Sequence, residues 1–232
     1  MRSLITAGSI LGVLTLLGIT VTQPALGTGS ISGKVVLNGS APQPKTVEVT
    51  KNKEVCGGDK LAGDLIVGAD KGVQNAVVSL NGLKGETPTP TQTPALDQNG
   101  CEFKPRVVIV PVGTPMNILN NDGILHNIHT HSTKNRAFNQ SQPKFRKKMA
   151  RKFDQAEIFK VTCDVHSWMT GWIVVTDSPY VVATDVSGTF KIEGVPAGTH
   201  TLEVWHETLG RVTQEVTVTD GQATDMNIEL TN

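Results

Sequence analysis

The sequence is poor in the features that usually announce an activity. It has no excess charge, because 21 Lys and Arg are matched by 21 Asp and Glu. That balance excludes electrostatic capture of nucleic acid as the default mode of binding. No serine triad, carboxylate pair, phosphate-cradling glycine loop or zinc motif with an open position can be read along the chain, so no enzyme signature is present. Extended helical periodicity is also missing. A hydrophobic fraction of 38% still excludes wholesale disorder, which needs low hydrophobicity and high net charge.

The one long apolar run lies at the start. Met1-Arg2 gives a short positive beginning, Leu4 to Val21 carry no charge, and small residues follow a proline in Gln23-Pro24-Ala25-Leu26-Gly27. This is the layout of a secretory signal peptide over 1–27, cleaved after Gly27. The alternative is an uncleaved anchor, since the run approaches the ~20 residues of a membrane span. Cleavage leaves 20 basic and 21 acidic residues, no membrane segment, and a periplasmic or secreted location.

Export changes how cysteine is read. There are three, Cys56, Cys101 and Cys163, and thiols that lie close together pair in an oxidising compartment. Cys56 and Cys101 sit in glycine-flanked loops, whereas Cys163 sits among His and Met. The economical partition is a Cys56–Cys101 disulfide, with Cys163 protected by a metal or buried as an inert thiol.

Beyond residue 28 the pattern is strand-like. Short runs rich in Val and Ile cover 31–37, 46–50, 76–80, 106–111, 116–120, 157–162 and 172–176, each punctuated by Gly, Asn, Asp or Pro. The fold expected is all-β, a sandwich or barrel. The alternating Thr-Pro stretch from Thr87 to Pro94 forbids ladder pairing and predicts an exposed loop. Lys144 to Phe153 is the one predicted helix. Phe145, Met149 and Phe153 recur every fourth residue there, with six cations on the remaining faces, which read either as solvated surface or as a docking patch for an acidic partner. A second unit is expected from Ser178. Its stretch from Asp185 to Val204, with two turns and alternating apolar residues, resembles the carboxypeptidase regulatory-like domain, an accessory β-sandwich.

The segment that carries chemistry is Cys163-Asp164-Val165-His166-Ser167-Trp168-Met169, between two apolar strands. A tight loop there aims thiolate, imidazole and thioether at one point, and such soft donors prefer copper. A second imidazole is offered by Asn120-Asn121-Asp122-Gly123-Ile124-Leu125-His126-Asn127-Ile128-His129, also at a strand end. Zinc is the rival metal, but thioether is not among its usual ligands. His129 and His131 lie at odd offsets from His126 and are expected on the opposite strand face; a bulge would make His129 the ligand instead. His206 is expected in a core or between units, and His200 in a loop. Trp168 and Trp172 are expected to pack around the site.

Together Val110-Pro111-Val112-Gly113-Thr114, Asn121-Asp122, His126-Asn127-Ile128-His129 and Cys163-x-x-His166-x-x-Met169-x-Gly171 resemble the two halves of a cupredoxin site, that of blue copper proteins of the plastocyanin and amicyanin kind. The resemblance implies a cupredoxin-like Greek-key β-sandwich over 28–177, followed by the small β-sandwich module over 178–232. It also implies one type 1-like copper ion held by His126, Cys163, His166 and Met169. The function it implies is one-electron transfer with a redox partner protein, without catalysis. Copper binding or delivery without redox turnover, and a metal-free binding module, are the alternatives.

Overall fold

The computed structural model describes residues 27–68 and 70–232; the predicted signal segment, up to residue 26, lies outside the described residues. In chain order the first elements are β1 (Thr28–Asn38), β2 (Thr46–Val47), a single helical turn α1 (Lys53–Cys56), β3 (Lys60–Leu61), β4 (Val77–Leu80) and β5 (Ala95–Gln98). Next come β6 (Phe103–Lys104), β7 (Val107–Pro111), β8 (Met116–Asn120), β9 (His126–Thr130), β10 (Asn139–Gln142), β11 (Lys148–Arg151) and β12 (Glu157–Thr162). The last are β13 (Thr170–Thr176), β14 (Val181–Ala183), β15 (Thr189–Pro196), β16 (Gly198–His206), β17 (Gly210–Val218) and β18 (Ala223–Thr231). The expected all-β class is what the chain adopts, and among the described residues no helix is long and apolar enough to cross a membrane.

The strands form two sandwiches. In the first, the sheet β10-β9-β12-β13-β7 faces the sheet β11-β8-β5-β6. Ile128, Phe159, Val161 and Ile173 of the one sheet pack against Leu96, Met116, Ile118 and Met149 of the other. In the second, β15-β1-β18 faces β14-β4-β16-β17. Ile31, Val35, Leu37, Phe190 and Ile228 there meet Val78, Leu80, Leu202, Val204 and Val216. Alternation along each strand, with buried residues two apart, puts one face of each sheet into its core.

The division expected at 177/178 differs from this packing. β1 inserts between β15 and β18, antiparallel to the first and parallel to the second, and β4 lies between β14 and β16. Two strands from the amino-terminal half therefore complete the carboxy-terminal sandwich. The physical reason is coverage. Residues from 178 onward supply only five strands, and without the inward side chains of β1 and β4 neither inner face would be closed. A third apolar cluster joins the sandwiches, with Val77, Val107 and Val174 buried and Trp172 set edge-on to Trp205 at a 4.8 Å centroid distance. Beside it Arg106 donates twice to the Glu207 carboxylate, at 2.5 and 3.0 Å.

The helix expected over 144–153 is not formed. Residues 143–147 make a turn and 148–151 are strand β11, paired with β8. Met149 and Phe153 are buried as the spacing implied, but Phe145 is 80% exposed. A spacing of four is an even number, so it places residues on one face of a strand as readily as on one face of a helix. The Thr-Pro stretch lies between β4 and β5 outside any strand, as expected.

Candidate metal centre

One end of the first sandwich gathers the chain's chemistry. β9 begins there with His126, and β12, antiparallel to it, ends there and releases Cys163. The loop 163–169 then turns back into β13. Its backbone closes on itself, with Cys163 N–H donating to the Met169 carbonyl at 3.3 Å and Met169 N–H to the His166 carbonyl at 2.9 Å. The turn 99–102, the loop 121–125, the turn 143–147 and α1 complete this end.

Three of the four expected ligands converge. Cys163 Sγ lies 3.8 Å from His126 Nδ1 and 3.8 Å from His166 Nδ1, and the two nitrogens are 3.0 Å apart. Sides of 3.8, 3.8 and 3.0 Å define a triangle whose corners are all about 2.1 Å from one point in its plane, within the roughly 2.0–2.3 Å of metal–imidazole and metal–thiolate bonds. His126 and His166 have no exposed surface, and Cys163 and Met169 are 1% exposed. Met169 shares the core cluster of Cys163.

The far nitrogen of each ring is held. His126 Nε2 meets Asp122 Oδ2 at 2.9 Å, and His166 Nε2 meets Asn52 Oδ1 at 3.0 Å. A carboxylate and an amide oxygen can only accept, so each Nε2 carries the proton and each Nδ1 presents a lone pair inward. Burial pushes His126 below its ordinary pKa against the pull of Asp122. Burial, then the charge of His126, lowers His166 to about 4. Both rings are thus neutral near pH 7. Burial raises the Cys163 thiol, while backbone N–H groups of Asn127, His166 and Val165 pull it down. Two acceptor nitrogens facing each other at 3.0 Å beside a sulfur repel unless a cation or proton sits between them. A soft cation would fit this donor set and displace the thiol proton.

Sequence reasoning missed the residues that set this geometry. Asn127 Oδ1 accepts from Cys163 Sγ at 3.3 Å and from Asp164 N–H at 2.7 Å, tying the start of the ligand loop to β9. Asp122 is fixed by the backbone N–H groups of Gly100 at 2.5 Å and Cys101 at 2.8 Å. Asn121-Asp122 and Asn127 were visible as part of the motif; Asn52, 114 residues from His166, carried no local signal.

The disulfide joins Cys56 to Cys101 and leaves Cys163 free, as expected. It lies beside the site, with Cys56 and Cys101 sulfurs within 4.8 Å of a His166 nitrogen. Paired sulfurs offer no thiolate, so that cluster is no second site. Trp168 packs 5.1 Å from the His166 ring and donates to the Cys101 carbonyl, as a neighbour of the site should. Trp172 corrects the expectation, because parity in β13 sends it to the contact between the sandwiches. His129, on the outward face of β9, and His131, directly after that strand, stack on each other away from the site, and His206 is buried at 2% exposure, as expected. His200, expected in a loop, lies within β16 and meets the Pro196 carbonyl at 2.7 Å.

Residues 172–231 match the family model of the carboxypeptidase regulatory-like domain. The match covers β14 to β18 but neither β1 nor β4. No curated protein matches the sequence. Solved structures similar to part of the chain are amicyanin and other cupredoxins. A methionine-to-alanine variant of amicyanin in the Cu(I) form is 16% identical, over 43% of this chain and 98% of that one, with a TM-score of 0.34. The copper-containing nitrite reductase of Thermus scotoductus SA-01 is 18% identical over 42% of this chain and 25% of that one, with a TM-score of 0.34. A purple cupredoxin from Nitrosopumilus maritimus is 24% identical over 32% and 81%, with a TM-score of 0.28.

Proposed function

We propose that the chain is an exported copper protein of blue-copper type that acts in one-electron transfer and is not an enzyme. The observation that supports this most directly is the pair of inward Nδ1 lone pairs, 3.0 Å apart and each 3.8 Å from Cys163 Sγ, in a site closed to water. His126, Cys163, His166 and Met169 would hold one copper ion, the thioether being the weakest of the four donors. When bound, copper would supply a one-electron change between Cu(I) and Cu(II). The protein's own part is rigidity and exclusion. Asp122 and Asn52 fix ring orientation and tautomer, Asn127 anchors the loop next to the thiolate, and burial keeps water from a further position. With Met169 as the fourth donor, the set would have no open position for substrate.

The visible spectrum after copper addition tests the reading. An intense thiolate-to-copper charge-transfer band supports it; copper bound without that band favours delivery over electron transfer.

The partner is proposed to be an acidic redox protein that meets the turn 143–147. Gln142 pairs with His126, so this turn emerges at the same end as the site. It carries Lys144, Arg146 and Lys147, with Lys148 next at the start of β11, all exposed, and no acid occurs between Asp122 and Asp154. Phe145, at 80% exposure, and Leu125, at 48%, add apolar contact area. Electron transfer to the partner should slow as salt rises, because exposed charges are screened over about 8–10 Å at moderate ionic strength. Reversing Lys144 and Lys147 to Glu should slow it further, measured by stopped-flow. Rates indifferent to both would leave these cations as solvated surface.

A further inference from the structure

The outward face of β9 and the residue just beyond its end carry a second pair of imidazoles. His129 and His131 are two residues apart, so they project on the same side, opposite His126 and Ile128. Their rings stack with centroids 4.5 Å apart and planes inclined by 29°. His129 is partly exposed and His131 is exposed. Neither ring fills a core, so packing does not account for the pair.

Hydrogen bonding orients both rings. His129 Nδ1 lies 3.0 Å from Asp164 Oδ1, and the other oxygen of that carboxylate accepts from Asn139 Nδ2 at 2.5 Å. His131 Nε2 lies 2.8 Å from Thr162 Oγ1. The carboxylate can only accept, so His129 carries its proton on Nδ1 and presents a lone pair at Nε2. The threonine hydroxyl can accept as well as donate, and when it accepts from Nε2–H the His131 ring keeps its lone pair on Nδ1. No protein group among the described residues bonds to either of these remaining nitrogens. A carboxylate behind one imidazole and a hydroxyl behind its neighbour is the backing that metal-bound histidines commonly have.

We propose that His129 Nε2 and His131 Nδ1 bind one divalent d-block cation at the surface, with Asp164 as the carboxylate that positions the His129 ring. Imidazole suits Zn, Ni and Cu, and Cu(II) binds most tightly to such a nitrogen and water set. No thiolate faces this side, so the ion would lack the charge-transfer band of a copper thiolate. Asp164 offsets the positive charge of Lys160. The strand pair β9–β12 would then carry one metal position on each face, since Thr162, level with His129, directly precedes Cys163. The surface position rests on its own residues and does not depend on the buried site binding copper.

Retention of the untagged full chain on immobilised Ni(II) tests this. The resin reaches only surface rings, because His126 and His166 are wholly buried, so failure of the buried-site reading would leave the result unaffected. The chain should be retained and released by imidazole. His129→Ala and His131→Ala should each elute early, and their affinity for Cu(II) in solution should fall about 100-fold, because the second imidazole binds intramolecularly. Circular dichroism on the same samples checks that the variants are folded. A chain that flows through, or folded variants retained as well as the parent, would overturn the proposal.

Discussion

Cys163→Ser should remove the visible charge-transfer band of the copper-loaded protein altogether. The band requires a thiolate, and the free thiol among the described residues is the one 3.8 Å from both ring nitrogens. Serine keeps the shape of the side chain, so β12 and the loop 163–169 should fold unchanged. Its hydroxyl is a hard, poorly acidic donor that cannot replace a soft thiolate. Copper affinity should fall by more than about 100-fold, the upper end of the loss caused by removing an outer partner. Met169→Leu is the informative companion. An axial thioether bond is long and weak, so copper and colour should persist while the reduction potential shifts. Absorption spectroscopy and voltammetry on the two variants separate the roles. An intact band in Cys163→Ser would remove Cys163 from the site and with it the electron-transfer reading.

The parts of this site that were legible in the sequence are those fixed by local geometry. Cys163, His166 and Met169 lie within seven residues between two strands, so their approach follows from one loop. His126 and His129 could be told apart because an odd offset along a strand reverses the face. What could not be read depends on long-range pairing. Asn52 reaches His166 from 114 residues away, and nothing near Asn52 marks it as a partner. β1 joins β18 across the length of the chain, as Leu37 facing Leu230 illustrates; its Val-rich alternation announces a strand but not its neighbour. In β11 the signal was ambiguous, since Met149 and Phe153 satisfy a strand and a helix equally. The tryptophans divide the same way. Trp168 belongs to the ligand loop and stays with it, while Trp172 lies one strand parity away and serves the contact with Trp205.

Removing the disulfide should cost the metal-free protein a large part of its margin of stability. The Cys56–Cys101 bond closes a separation of 45 residues, for which loss of the chain-entropy constraint is worth about 4 kcal/mol. That loop contains the Thr-Pro stretch and the irregular segment after α1, which have few ladder bonds to restrain them. The bond also connects two supports of the site. Cys56 ends α1, whose preceding residue Asn52 holds His166 Nε2. Cys101 donates its N–H to Asp122, which holds His126 Nε2, and accepts from Trp168. Without the crosslink, both imidazoles keep their Nδ1 atoms near Cys163 but lose the fixed partners behind them. Copper affinity should therefore fall by about 10-fold or more, as it does when outer partners are lost. The measurement is denaturant unfolding of the metal-free Cys56→Ala/Cys101→Ala protein beside the parent, with copper dissociation followed on the folded fraction. A lower midpoint together with faster copper loss is expected. An unchanged midpoint would show that the loop is held by its packing instead, chiefly through Leu96, which is fully buried in the same core. A lower midpoint with unchanged copper loss would show that Asn52 and Asp122 hold their rings without help from the crosslink.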